Sequence, residues 1–115
     1  MKKWFVLSFA VTGLILMSAA PGNAFFELGK TLKIKCSSDP NSYDRAFCLG
    51  YISGIADTLK DGNKINDFKA CIPDDVIEEQ ILAVVREFLK ENPGNLQYTA
   101  DDLVAFAFQD AFPCQ

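Results

Sequence analysis

Between residues 43 and 60 the apolar side chains Phe47, Tyr51, Ile52, Ile55 and Leu59 recur at intervals of three and four, the repeat of one helical stripe. The predicted helix runs from Tyr43 to about Lys60, and Asn41 or Ser42 starts it from the turn-forming cluster Ser37-Ser38-Asp39-Pro40-Asn41-Ser42. Ala46, Gly50 and Gly54 fall four residues apart along it. A row without large side chains predicts that a neighbouring helix comes close. The plainer alternative is two glycines that only weaken the helix, by roughly 1 kcal/mol each.

Polar residues then interrupt the stripe. Lys60-Asp61-Gly62-Asn63-Lys64-Ile65-Asn66-Asp67 reads as an exposed loop that can adapt its backbone. Cys71-Ile72-Pro73-Asp74-Asp75 predicts the opening of a second helix, with proline in its first turn and acids at its positive end. Asp75 and Glu78 have capping-box spacing. Ile77, Ile81, Val84, Val85, Phe88 and Leu89 form one apolar face, and Asn92-Pro93-Gly94-Asn95 ends it. Thr99 and Asp102 make a second capping box, which predicts a third helix from Ala100 to about Ala111. Its body, Leu103 to Phe108, is apolar nearly all round, so it is buried inside its own domain or against another subunit. In the second case Phe108→Glu separates subunits without unfolding them. Residues 25–35 read as either a short helix or an extended lead-in.

Three main helices and no alternating strand predict an all-α, small disulfide-stapled helical bundle. The start of the chain is set apart from it. Lys2 and Lys3 precede an almost wholly apolar run from Trp4 to Ala20, and Pro21-Gly22-Asn23-Ala24 offers a cleavage site, so residues 1–24 read as a signal peptide. That run is short for a bilayer span, and no retained membrane anchor is expected. Residues 25–115 then form a single domain with nine basic and 15 acidic side chains, a net charge of −6. Nucleic acid is a poor partner for such a surface.

Four cysteines, Cys36, Cys48, Cys71 and Cys114, change the picture in an exported chain this small. Disulfides are their expected state. Metal binding fits badly, because the spacings of 12, 23 and 43 contain no Cys-x-x-Cys pair and the chain has no histidine. Of three possible pairings, an antiparallel bundle favours Cys36–Cys48 with Cys71–Cys114, because the start of the second helix and the end of the third share one end. Cys48–Cys71 with Cys36–Cys114 is the next choice.

Catalysis has little to work with. Without histidine there is no Ser-His or Cys-His couple. Asp74-Asp75, Glu78-Glu79 and Asp101-Asp102 lie in predicted first turns, where capping and the helix dipole account for them. The cysteines are too scattered for a redox couple. The aromatics Tyr43, Phe47, Tyr51, Phe88, Phe106 and Phe108 sit at helical spacing and are assigned to the core rather than to a ligand box. An exported binding module, with no enzymatic activity and no cofactor, is what remains.

Several pieces then stand in a recognisable order: Leu32 and Cys36, Cys48-x-Gly50-Tyr51-Ile52-x-Gly54, Cys71-x-Pro73, Val84-Val85-x-x-Phe88-Leu89, Pro93, Ala100 and the closing Phe112-Pro113-Cys114. In this the chain resembles the Rap/Tai family of immunity proteins. The resemblance implies a periplasmic helical protein, often a homodimer, that binds a secreted type VI peptidoglycan amidase and occludes its active-site cleft without performing a reaction. It carries over no contact residue, since the matched positions define the fold. Lys60, Asp61, Gly62, Asn63, Lys64, Ile65, Asn66 and Asp67 are the candidate contact loop, as the longest polar loop between two helices. The alternative is an HdeA-like acid-stress periplasmic chaperone, which two crosslinks would hinder from opening.

Overall fold

A computed structural model describes residues 26–115, and the expected signal peptide lies outside them. Four helices make up the domain: α1 (Gly29–Cys36), α2 (Tyr43–Lys60), α3 (Glu78–Glu91) and α4 (Ala100–Ala111), with a 3-10 turn at Pro93–Asn95 before the last. The all-α bundle is thus the predicted one with a short fourth helix added, since the lead-in becomes helical at Gly29. Every helix packs against the other three. Leu32 of α1, Ile52 and Leu59 of α2, Val85 and Leu89 of α3, and Val104 and Phe108 of α4 are fully enclosed in the common core.

α4 lies at the centre of this packing. Ala100, Leu103, Val104, Ala105, Ala107 and Phe108 are all buried, so the nearly all-round apolar sequence is explained within one chain. This corrects the dimer reading of Phe108. Its ring has no exposed surface, and a carboxylate there would be an unpaired charge in the core of the domain itself.

Two helix starts differ from expectation. Thr99 makes no side-chain cap. Instead the amide of Ala100 donates to the Glu27 carbonyl (2.7 Å), while the amides of Gly29 and Lys30 donate to the carbonyls of Tyr98 and Leu96 (2.9 Å each). The first turns of α1 and α4 are therefore satisfied by each other's flanking backbone, which no local motif announces. For α3, the segment Cys71–Val76 is not helical. The Cys71 amide donates to the Phe112 carbonyl (2.8 Å), and Ile72 drops into the core, so the chain is held across the bundle end before it can coil. The proline and acids at 73–75 consequently precede the helix. Its start is set by Gln80, whose Oε1 accepts from the Ile77 amide at 2.9 Å. Ile77 is left 58% exposed rather than on the buried face.

The glycine row is also corrected. A methyl group built on Gly50 or Gly54 meets nothing within 4 Å, and both residues and Ala46 face outward. Close approach occurs at Gly29, where a Cβ would overlap Leu103 Cδ1 and stand 3.1 Å from the Leu96 carbonyl oxygen.

The cysteines pair as Cys36–Cys48 and Cys71–Cys114. The first bridge fastens the end of α1 to α2. The second fastens the segment before α3 to the one after α4.

Candidate partner-binding surface

The loop singled out in the sequence begins with Lys60, the last residue of α2. Gly62 (φ 80°) and Asn66 (φ 52°) turn the chain in the left-handed region, where glycine and asparagine are the least strained residues. Ile65 and Phe68 exchange two backbone hydrogen bonds, 3.1 and 2.9 Å, which close a tight turn with Asn66 and Asp67 at its tip. All loop residues are exposed except half-buried Ile65.

This projection is braced from below. Asn66 Nδ2 donates to Asp102 Oδ1 in the first turn of α4, and the Lys69 amide donates to Gln109 Oε1 (3.0 Å). Lys60 Nζ lies 3.4 Å from Asp74. Ile65 and Phe68 pack against the core. These contacts tie the base and tip of the loop to α4 and to the core.

Beside the loop is a groove of about 260 Å³ that sequence reasoning did not anticipate. Phe68, Phe88, Tyr98, Leu103 and Phe106 line it, with Asn95 and Asp102 as its polar members. The Phe106 ring meets Phe68 and Phe88 edge to face, with centroids 5.6 and 5.5 Å away. Tyr98 is 56% exposed and Phe106 41%. Helical spacing predicts core positions for Phe106 and Tyr43, but both are exposed, Tyr43 almost wholly. For Phe106 a signal existed: it stands four residues after Asp102, on the face of α4 that already carries a charge.

A second groove, about 420 Å³, lies between α1 and α3, with Lys33, Arg86 and Lys90 around it together with Glu87. Of the carboxylates considered for chemistry, Glu78 accepts from Ser53 Oγ (3.2 Å), while Asp101 and Asp102 are separated from it at the start of α4. No group of His, Cys, Asp or Glu among the described residues is arranged to hold a metal ion. None of the described helices is long and apolar enough to cross a membrane.

Near α1 a further cluster is structural in character. Lys35 pairs with Glu27 at 3.0 Å and lies 3.9 Å above the Phe47 ring, which stacks on Tyr51. Burial, reinforced by Asp101 and Glu27, pushes the Tyr51 phenol up to about 12, so it stays neutral well above physiological pH.

Comparison with known proteins gives one result. The family model described as Rap1a immunity proteins matches residues 28–114, which takes in all four helices and all four cysteines. No curated protein and no solved structure matches.

Proposed function

The chain belongs to the Rap1a immunity protein family, and from that membership we propose that it is the periplasmic antidote to a type VI secretion peptidoglycan amidase. Family membership is the observation that carries this reading, since an immunity protein acts by binding a toxin. Three features agree with it. Residues 1–24 have the charge and hydropathy pattern of a secretory leader. The two disulfides suit an oxidising compartment. The braced loop 60–67 offers a pre-organised protrusion for an enzyme cleft, and a loop held in place loses little entropy on binding. The homodimer implied by the resemblance would need a surface other than Phe108.

The test uses protein recovered from the periplasm after expression of the full chain. Its N-terminal mass should begin at Phe25. Mixed with purified type VI amidases, it should abolish hydrolysis of peptidoglycan stems by one of them at about one-to-one stoichiometry. Replacing residues 61–64 by a Gly-Ser linker should relieve that inhibition while leaving the thermal midpoint in place. Failure to inhibit any such amidase, with unfolding clients bound only after acidification, would replace this reading with the chaperone.

A further inference from the structure

The groove beside the loop has a composition that narrows what it can receive. Four aromatic rings surround it, and two of them, Tyr98 and Phe106, are exposed. Among the described residues its only charged member is Asp102, and none of them brings a cation to it. At about 260 Å³ it is smaller than most small-molecule sites but of the scale of one long side chain. Asn66 holds one oxygen of Asp102 from the loop, which orients the carboxylate within the groove wall. Aromatic faces beside a fixed carboxylate attract a cation through the ring quadrupoles and the charge together.

We infer that this groove captures an arginine side chain of the bound effector, its stem and guanidinium plane against Tyr98 and Phe106 and its cationic edge toward Asp102. The inference rests on the immunity reading for the identity of the partner, but not for the chemistry of the groove. Arginine suits it better than lysine, because a planar guanidinium stacks on a ring while forking to a carboxylate, which a hydrated ammonium cannot do. A purely apolar guest would displace water from Asp102 and leave it only the bond from Asn66. The net charge of the domain also favours a basic partner surface. The loop and the groove are joined through Asn66–Asp102 and through Phe68, so one approach of the partner engages both.

The experiment is an NMR titration of the periplasmic protein with three capped tripeptides, Gly-Arg-Gly, Gly-Lys-Gly and Gly-norleucine-Gly. Saturable shifts of Phe68, Tyr98, Asp102 and Phe106 are expected with the arginine peptide, weaker ones with lysine and the weakest with norleucine. Asp102→Asn, which keeps an acceptor for Asn66, should weaken the arginine peptide about fivefold, as should Tyr98→Ala. Unchanged thermal midpoints check that both variants are folded. No shifts at these residues, or equal shifts with norleucine, would overturn the inference. So would movement of the same signals on concentrating the protein alone, which would mean that a second copy occupies the groove. The same variants are then mixed with the inhibited amidase. If wild type inhibits and both variants inhibit equally well, the groove assignment falls while the immunity reading stands. If the arginine peptide binds here but no amidase is inhibited, the amidase reading falls while the groove's selectivity for arginine stands.

Discussion

Gly29 is the residue whose small size the fold uses most directly. A Cβ there meets Leu103, itself buried, and the rigid backbone at Leu96, so Gly29→Ala should cost roughly 1–3 kcal/mol through overpacking. Gly50→Ala meets open space inside a helix and should gain roughly 0.5–1 kcal/mol. Urea unfolding midpoints should therefore move in opposite directions for two substitutions of the same kind. Tyr51 gives a different handle. Because burial raises its folded pKa to about 12 from the ordinary 10.0, its contribution is complete below pH 10. It is lost as pH rises from 10 to 12, where the unfolded chain ionises first. The residue is half-buried, so the loss is on the order of 1 kcal/mol by pH 12 after screening. Tyr51→Phe should lose less stability than wild type between pH 9 and pH 11.5 in the same urea assay.

At the scale of the element, legibility followed whether a helix carries its own punctuation. For α2 the Ser42 side chain accepts from the Arg45 amide at 3.1 Å, and Asp61-Gly62 ends the helix, so both limits stood in the local sequence. The bounds of α4 were legible as well, although Thr99 does not cap it and residues 27–28 take that part. α1 was ambiguous because its partners lie nearly 70 residues away. The start of α3 lies later than its local sequence predicts, because Pro73 and Asp75 imitate a first turn that the tether at Cys71 forbids. The distinction can be measured: Gln80→Ala removes the acceptor for the Ile77 amide and should cost about 1 kcal/mol. Asp75→Ala changes an exposed residue outside the helix and should stay within about 0.5 kcal/mol. Of the candidate surface, the loop was visible as a polar interruption. The aromatic groove was not, because its rings come from four separate stretches of chain, and only folding puts Phe68 beside Phe106.

Over the whole molecule the two disulfides divide the work unequally. Cys36–Cys48 spans 12 residues and lies wholly within the core, whereas Cys71–Cys114 spans 43 and sits partly open at the bundle end. In the loop-closure model the longer bridge is worth about 4 kcal/mol, close to half of what a marginally stable domain has in hand. Replacing Cys71 and Cys114 together by serine should lower the thermal midpoint by roughly 15 °C or more. Mild reductant should reach this bridge before Cys36–Cys48, which mass spectrometry of alkylated protein resolves as carbamidomethyl groups on Cys71 and Cys114 alone.

The backbone exchange between residues 27–30 and 96–100 also bears on time. A chain synthesised from its N-terminus presents the start of α1 long before the carbonyls of Leu96 and Tyr98 exist. Cys71 likewise waits for Cys114, 43 residues later. Vectorial synthesis therefore offers no completed half-domain to fold early: the backbone exchange cannot close until the start of α4 has been made, nor the disulfide until the segment after α4 has followed.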